Sequence, residues 1–509
     1  MKSTRVKELF GISGQITLCC ATGFAMVGYD DGLFSGILVN PNFLSTFHHP
    51  GSTLTGHIAA TFNLGSFVGA VITSLIGEKL GRRKVLLAGS VIHIIGGILQ
   101  ASSFQVVQLI FGRAIAGIGC GFLSSIVPVW QAETASAKYR GKKLVIQLAL
   151  VDLGIVVVNW INYGFRNSVN SVSWRFPVAL QIIFPITTFA MVCYLPESPR
   201  WLVYQNRNDE AEIVFSKLLA EPVGSDAVTQ MKLEVMASVE HEKKLRSSMK
   251  YSDLFRRDRL QSLRRIVTGV SAQVFQQFSG INMVLYYLPT ILENSAHMSH
   301  SMALVLSACN SMNLAFFTLF SLFTIDRFGR RLTMFVGLLL QGVCFIIVTI
   351  GLAIGTRETQ FMAVAFMFFY NTVFSIGVNA TPWCYPAEIN TQVYRNLGGS
   401  LATAGNWISN YCVVLVTPDG IANLNWRYYI IYTVLNFAFA PIVFFFYVET
   451  AQLTLEQIDD KFLQLSEKKY GPADLLRENS ITKEQFKEPG HVEVSDDVSD
   501  SVNGSGNAV

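Results

Sequence analysis

Residues 326–356 read DRFGRRLTMFVGLLLQGVCFIIVTIGLAIGT, a short charged cluster followed by a long stretch without any charged residue. The uncharged part, 332–356, exceeds the roughly 14 apolar residues of a buried soluble helix and reaches the roughly 20 that a bilayer requires. Residues 85–109 are uncharged in the same way. Such stretches indicate membrane-spanning helices, and they exclude a soluble enzyme, a coiled coil and a disordered chain.

The composition of the whole chain agrees with a membrane protein. Of its 509 residues, 51% are hydrophobic and 15% are charged, against about 25% charged in an ordinary soluble domain. The net charge of +4 is too small to suggest nucleic-acid binding. The eight cysteines fall in apolar stretches, where a free thiol acts as a small hydrophobic group. We therefore predict no disulfide, no metal site and no cofactor.

We predict an all-α membrane protein with twelve transmembrane helices in two six-helix halves. The predicted spans are 14–38, 57–76, 85–102, 108–130, 144–164, 176–195, 266–291, 302–325, 332–354, 361–385, 398–417 and 428–448. The predicted units are an arm (1–13), a first half (14–195), a linker with amphipathic helices (196–265), a second half (266–448) and a largely disordered tail (449–509).

The basic residues predict the orientation of these spans. Of the 39 Lys and Arg residues, only four fall in the predicted loops on one side: Arg166, Arg175, Arg357 and Arg427. Nearly all others fall on the opposite side, and cytoplasmic loops of membrane proteins are rich in Lys and Arg. We therefore predict that both termini and the linker are cytoplasmic. The first apolar stretch is too long for the core of a cleaved signal peptide.

Charged signatures repeat along the chain at a separation of about 250 residues. The pairs are Glu78-Lys-Leu-Gly-Arg-Arg83 with Asp326-Arg-Phe-Gly-Arg-Arg331, Glu133…Arg140 with Glu388…Arg395, and Glu197 with Glu449. Positive-inside loops alone would explain the arginines but not the matching acids, so the repeat indicates a duplication. Because a carboxylate at a helix end can pair with Arg in only one conformation, we predict gating roles for Glu78, Arg82, Glu133, Arg140, Glu197, Arg200, Asp326, Arg330, Glu388, Arg395 and Glu449.

Motifs in both halves, from about residue 15 to 460, carry a resemblance to a known family. They are Gly28-Tyr-Asp30, Pro128…Glu133…Arg140-Gly141, Pro196-Glu-Ser-Pro-Arg-Trp-Leu202, Gln276-Gln277…Gly280-Ile-Asn282…Tyr286-Tyr287, the 326–331 cluster and Pro382-Trp383…Glu388. Together and in this order they resemble the sugar porters of the major facilitator superfamily, whose substrate site lies at mid-membrane between two halves. The chain is most similar to a fungal branch that includes glycerol–proton symporters and hexose and pentose carriers.

The resemblance implies a secondary active transporter and not an enzyme. We expect proton-coupled uptake of a sugar or polyol across the plasma membrane by alternating access, with the proton as coupling ion. The expected partners are a small-molecule substrate and the lipid bilayer, without nucleic acid or an obligate protein partner. Two alternatives remain open: a carrier, or exporter, of a non-sugar metabolite, and a nutrient sensor on the same fold.

Asp30 and Arg113 are the charged residues within the predicted spans on which we base a coupling mechanism. An ionised side chain at mid-membrane costs about 3 kcal/mol or more unless it is paired, and the resemblance places these two close together. Because Arg keeps its proton, Asp30 would gain a proton when Arg113 recedes and lose it when Arg113 approaches. A static ion pair that fixes helix packing is the alternative. For Asp31 we expect a solvated or backbone-bonded role.

The resemblance also assigns a substrate site. Polyols need groups that both donate and accept hydrogen bonds, together with an aromatic face. The matching residues are Gln276, Gln277, Asn282, Tyr286, Trp383 and Asn406, with Asn313 as a further candidate. Asn282 and Tyr286 are four apart and share a helix face. Some of these residues would instead bridge helices.

The chain departs from the family pattern where the substrate should be held. Leu148 and Ile155 occupy the positions of two amides of the fifth span, and Asn379 replaces a glycine four residues before the tryptophan of the tenth. Asp152 lies on the helical stripe between Leu148 and Ile155, and Asn159 lies further along it. We expect Asp152 and Asn159 to supply the missing contacts. For Asp152, a second titrating group, a partner for a cationic substrate and a helix–helix hydrogen bond are alternatives.

Overall fold

The computed structural model describes residues 11–134, 140–247, 254, 260–391, 394–453 and 455–469, and every regular element in this part of the chain is a helix. Ten stretches are long and apolar enough to cross a membrane. The predicted all-α membrane class is therefore confirmed, whereas the number of twelve crossings stays a prediction.

The first half contains eight helices between residues 12 and 194 of the described chain. They are α1 (Ile12–Ile37), α2 (Pro41–Thr46), α3 (Ser52–Leu80), α4 (Arg82–Ala101), α5 (Val106–Thr134), α6 (Arg140–Gly164), α7 (Val172–Leu180) and α8 (Ile183–Tyr194). Three further helices follow in the predicted linker: α9 (Pro199–Tyr204), α10 (Asn208–Leu219) and α11 (Asp226–Ser247). The linker helices pack on one another around a small apolar cluster that includes Trp201, Phe215 and Val239.

The second half spans residues 262–446, and one more helix follows it. Its helices are α12 (Ser262–Phe278), α13 (Ile281–Asn294), α14 (His300–Phe328), α15 (Arg330–Ile354), α16 (Arg357–Gly377), α17 (Thr381–Ile389), α18 (Arg395–Leu424) and α19 (Tyr428–Phe446), and the last helix is α20 (Leu455–Lys469). A short 3-10 turn, Asn425–Arg427, separates α18 from α19 within a single apolar stretch of residues 397–446.

Three of the predicted spans are interrupted helices, and the span 176–195 is divided into α7 and α8 at residues 181–182. The predicted span 266–291 is divided into α12 and α13 at Gly280, whose φ of +107° favours glycine. A Cβ atom on Gly280 would lie 2.9 Å from the Phe345 ring. The predicted span 361–385 is divided into α16 and α17 at residues 378–380. Interrupted helices expose backbone carbonyls inside the bundle, which a membrane protein tolerates only where other protein groups satisfy them.

Glycines join α1 tightly to α6 in the first half. A Cβ atom on Gly28 would lie 1.7 Å from the Val151 carbonyl oxygen, and one on Gly32 would lie 2.7 Å from Val158. Gly36 meets the side chain of Asn162 one turn further on, where a Cβ atom would lie 2.7 Å from its Cβ. Small residues at such spacing let two membrane helices approach at the backbone. The two helices therefore form one closely packed unit.

The two halves meet along helix pairs that contribute one helix each. Helix α3 packs against α18, and α6 packs against α14. In the first pair, Asn63 Nδ2 donates to Asn410 Oδ1 at 3.1 Å, and the Ser52 hydroxyl donates to the Asp419 carboxylate. This interface is the place where the candidate site lies.

Candidate functional site

A cavity lies between the two halves. The first half contributes residues of α1, α5 and α6, and the second half contributes residues of α12–α14, α16–α18 and the break between α16 and α17. The lining residues are Phe24, Val27, Asp31, Ser124, Leu148, Val151, Asp152, Ile155, Gln276, Gln277, Ile281, Asn282, Leu285, Leu314, Phe374, Asn379, Trp383, Asn406, Trp407 and Asn410. Apolar walls with a few convergent amides and carboxylates are typical of a small-molecule site.

Amide side chains form one wall of the cavity. Gln276 Nε2 donates to the carbonyl oxygens of Val378 and Asn379 at 3.0 and 2.9 Å, and so satisfies the backbone exposed at the α16–α17 break. Asn406 Nδ2 donates to Gln276 Oε1 at 3.2 Å. Asn282 donates to Gln277 in the same wall. Six predicted substrate residues therefore do line the cavity: Gln276, Gln277, Asn282, Trp383, Asn406 and Asp152.

Three other predicted substrate residues are not among those lining the cavity. Asn159 Oδ1 accepts a hydrogen bond from Ser35 at 2.8 Å and joins α6 to α1. Asn313 Nδ2 donates to the Phe368 carbonyl oxygen at 2.9 Å and joins α14 to α16. Tyr286 points its hydroxyl at the first half. The helix-bridging alternative therefore describes Asn159 and Asn313, because both lie where two helices of one half pack together.

Asp152 lines the cavity and also bridges the halves. Its Oδ2 accepts hydrogen bonds from Thr318 Oγ1 at 2.5 Å and from Asn379 Nδ2 at 3.2 Å. Asn379 donates to Thr318 as well, at 2.9 Å. Asn379, a departure from the family pattern, thus contacts Asp152, the acid expected to supply a missing contact, across the interface. The sequence contains both signals, but only the packing of α6 on α14 shows that they belong together.

Asp31 differs from its predicted solvated or backbone-bonded role. It lines the cavity, and its Oδ1 accepts a hydrogen bond from Tyr286 Oη, on α13, at 2.8 Å. Tyr286 also donates to Asn63 Oδ1 at 3.4 Å. The motif that contains Tyr286 gave no indication of this partner, because Asp31 lies in the other half.

Asp30 and Arg113 are both fully buried, with no exposed surface. Arg113 donates from Nε to the Ile58 carbonyl oxygen at 3.2 Å and from Nη2 to the Ala59 carbonyl oxygen at 2.8 Å. Its guanidinium carbon lies 4.1 Å from the centroid of the Phe34 ring. Among residues 11–134 the structure describes no ion pair between Asp30 and Arg113. The static ion pair considered above is therefore absent from this conformation.

The described partner of Asp30 is a histidine that the motifs did not indicate. His93 Nε2 lies 3.2 Å from Asp30 Oδ2, and both side chains are fully buried. Apart from this contact, neither carboxylate oxygen of Asp30 has a hydrogen-bond partner in the described part of the chain. The signal for His93 was present, since it is an imidazole inside the predicted span 85–102, which has no Asp, Glu, Lys or Arg.

The charged signatures form the same cluster in each half. Arg82 donates to Glu133 through Nε at 2.8 Å and Nη2 at 2.6 Å, and Arg330 donates to Glu388 through the same atoms at 3.0 and 2.8 Å. The backbone N–H of Arg82 donates to Glu197 at 3.0 Å, as that of Arg330 does to Glu449 at 2.9 Å. Burial raises the pKa of the Glu197 carboxyl, and these backbone donors oppose the rise. The matched geometry supports the predicted duplication.

The remaining predicted gating residues have separate positions. The Glu78 carbonyl oxygen accepts a hydrogen bond from Trp201 Nε1 at 2.7 Å, and Arg200 pairs with Glu242 at 2.8 Å. Arg395 is the first residue of α18. The side chains of Arg140 and Asp326 lie outside the described part of the chain.

Comparison with known proteins finds similarity to transporters along most of the chain. Residues 16–462 match the family model described as "Sugar (and other) transporter". The MFS-type transporter oryC of Aspergillus oryzae is 40% identical over 471 residues, which cover 90% of this chain and 87% of the relative. The sugar transporter STL1 of Saccharomyces cerevisiae is 33% identical over 479 residues, which cover 90% and 83%.

Solved structures of one transporter are similar in fold. The inward-open xylose transporter XylE from E. coli superposes with a TM-score of 0.73 at 25% identity, covering 88% of this chain and 99% of that one. A structure described as the proton:xylose symporter XylE bound to 6-bromo-6-deoxy-D-glucose superposes with a TM-score of 0.75 at 26% identity, with the same coverage.

Proposed function

Because this chain belongs to the sugar transporter family of the major facilitator superfamily, we propose that it couples uptake of a sugar or polyol to entry of a proton. Its relatives are multi-pass membrane transporters and not enzymes. The observation that carries the proposal is the fully buried Asp30 carboxylate next to Asp31, a residue of the central cavity. A proton site and a substrate site then share one turn of α1.

The proposed topology has twelve crossings with both termini in the cytoplasm. Two features support twelve rather than ten. Helix α13 is too short to cross alone and α12, with 17 residues, is at the lower limit, but the two together would cross. The turn Asn425–Arg427 divides the apolar stretch 397–446 into two helices, each long enough to cross. The concentration of Lys and Arg on one side supports the orientation, and the plasma membrane is the proposed location.

The proposed mechanism uses the chemistry of the cavity and of Asp30 in turn. Amides of α12, α13 and α18 would bind hydroxyl groups of the substrate, and the indoles of Trp383 and Trp407 would face its C–H surface. Asp30 would carry the proton while it is shielded from Arg113 and release it when Arg113 approaches. The membrane potential would add about 2.3 kcal/mol per 100 mV for each charge that crosses.

A second candidate substrate is a cationic metabolite. Two carboxylates, those of Asp31 and Asp152, line the cavity, and none of the described lining residues is Lys, Arg or His. Such a site would attract a positive charge because no basic residue in the lining offsets the two acids. A sugar can also bind between carboxylates, so transport measurements have to separate the two.

Uptake in a fungal host that lacks its own sugar and polyol transporters tests the proposal. Labelled glycerol, xylose and glucose are supplied at acidic external pH, and we expect accumulation above equilibrium that collapses with a protonophore. Asp30→Asn should abolish accumulation yet retain exchange of labelled for unlabelled substrate. The control is Asp209→Asn, a neutralised acid that is exposed on α10.

Other outcomes have a defined meaning. Protonophore-insensitive equilibration by wild type would contradict proton coupling. Absence of sugar or polyol uptake, together with uptake of a labelled cationic compound, would support the second candidate.

A further inference from the structure

A hydrogen bond at Nδ1 determines which ring nitrogen of His93 carries the hydrogen. His93 lies on α4 and is fully buried, and its Nδ1 lies 3.0 Å from the Ala116 carbonyl oxygen on α5. A carbonyl oxygen only accepts hydrogen bonds, so Nδ1 carries the hydrogen. The ring nitrogen without a hydrogen in this tautomer is Nε2.

The other side of the ring faces Asp30. Nε2 lies 3.2 Å from Asp30 Oδ2, and neither residue has exposed surface. Without a proton between them, a nitrogen lone pair would face a carboxylate oxygen in a fully buried contact, which is unfavourable for polar groups. One proton at this contact removes the repulsion, whether it is bonded to the imidazole or to the carboxyl.

We propose that His93 and Asp30 together form the site of the coupled proton, with the proton shared between Nε2 and Oδ2. The inference rests on the proposed proton symport and adds a second residue to it. His93 gives the proton a second atom to which it can bond, 3.2 Å from Asp30 Oδ2.

The groups around the pair determine when it would release the proton. Arg113 on α5 interacts electrostatically with both Asp30 and Asp31, and it favours an ionised Asp30 when it is close. Cys120 on α5 and Tyr29 on α1 also interact with Asp30. Asp31 is bonded to Tyr286 of the second half. Arg113 is therefore the positive charge that would replace the proton.

The backbone holds His93 against α5. A Cβ atom on Gly119 would lie 2.6 Å from the His93 backbone nitrogen and 2.8 Å from its Cβ, and one on Gly96 would lie 2.3 Å from the Ala116 nitrogen. Helices α4 and α5 therefore keep the Nδ1 bond closed, whereas Asp30 lies on a different helix, α1. A shift of α1 relative to α4 and α5 would lengthen the Nε2–Oδ2 contact and change the affinity of the pair for the proton.

Transport by the full chain in proteoliposomes tests this proposal. The probe is labelled xylose, glucose or glycerol, whichever the wild type accumulates in an imposed proton gradient. In His93→Gln, we expect accumulation to fall about tenfold or more and the pH of half-maximal net uptake to shift by about one unit toward acid. Counterflow, which needs no net proton movement, should remain within about threefold of wild type.

A second variant perturbs His93 without removing a titrating group. Gly119→Ala would press on the backbone of His93, whereas Gly121→Ala, on the same helix, would press on the Ser66 carbonyl oxygen, which lies 2.2 Å from its Cβ position. Gly119→Ala should shift the pH profile in the same direction as His93→Gln, and Gly121→Ala should not.

The proposal and the function that it rests on fail separately. If the wild type shows no proton-driven accumulation, the symport proposal is wrong. This result needs no variant and does not depend on His93. If the wild type accumulates, and His93→Gln or a folded Gly119→Ala carrier accumulates equally with an unmoved pH profile, His93 takes no part in holding the proton.

Discussion

Thr318 Oγ1 and Asp152 Oδ2 lie 2.5 Å apart, one on α14 of the second half and the other on α6 of the first. Both residues are buried, and Asp152 also lines the central cavity. A substrate that bonds to Asp152 Oδ2 would therefore compete with Thr318 and Asn379, which both donate to that oxygen. Asp152 therefore joins the two halves and also lies where a substrate in the cavity can contact it.

Asp152→Asn should weaken substrate binding more than it weakens the contact between the halves. The amide oxygen can still accept from Thr318, but the charge is lost, and a hydrogen bond to a charged group contributes about 1.5–3 kcal/mol. We expect KM to rise about tenfold. Thr318→Val is the matched control, because it removes the donor across the interface and leaves the carboxylate in the cavity. Unchanged KM and pH dependence in Asp152→Asn would remove Asp152 from the substrate site.

Tyr286→Phe should alter the balance between conformations. It removes the hydroxyl that α13 donates to Asp31 across the interface at 2.8 Å. A contact that exists in only one conformation shifts the population by its own free energy, so we expect a change in KM of about fivefold or more. In Tyr287→Phe the lost bond goes to the Val414 carbonyl oxygen of the same half. That control should leave KM within about twofold, and equal effects of the two variants would contradict the prediction.

Gly81→Ala and Gly329→Ala should destabilise the carrier to a similar extent. Gly81 has φ +88° and ψ 168°, and Gly329 has φ +84° and ψ 168°, a region open to glycine alone at a cost of about 1–3 kcal/mol for other residues. A Cβ atom at these positions would lie 2.6 Å from Glu197 Oε2 and 2.4 Å from Glu449 Oε2. We expect a lower Tm in detergent for both. Gly399→Ala, which has open space around it in a helix, should keep or raise Tm.

Glu133→Gln and Glu388→Gln should each lower Tm, and their effects should add. Each replacement breaks a two-bond ion pair with an arginine that is mostly buried, Arg82 or Arg330. The two ion pairs lie in different halves and share no partner. The losses in the protein's free energy of unfolding that the two variants cause are therefore expected to add. Glu210→Gln breaks an exposed pair with Arg207, and exposed pairs contribute about 1 kcal/mol or less. A Glu210→Gln effect as large as the other two would argue against a special role for these clusters.

The class of fold was predictable from the sequence because it depends on the length of uncharged apolar stretches, which can be read along the chain. Uncharged stretches such as 332–356 reveal a membrane helix without knowledge of its neighbours. The same signal does not locate the interruption at Gly280, since a break in a helix leaves the hydropathy of the stretch unchanged. Residues 262–294 therefore form one membrane crossing only if α12 and α13 cross as a single unit.

The candidate site was predictable in part. Motifs indicated the amides Gln276, Gln277 and Asn406, because these lie on the cavity side of helices that the family resemblance orients. They did not indicate the partners of Asp30 and Asp31, since His93 and Tyr286 are distant in sequence and meet them only through packing. Spacing on a helix face also placed Asn159 in the site, but such spacing does not show where along the helix the cavity ends.

The glycine contacts between α1 and α6 have a consequence for how the cavity opens. Asp31 and Asp152 lie on these two helices, and each bonds to a different residue of the second half. Because the helix pair is closely packed, a displacement away from the second half would break both hydrogen bonds in one step. Opening at this edge is therefore expected to be cooperative, with no populated state in which a single bond remains.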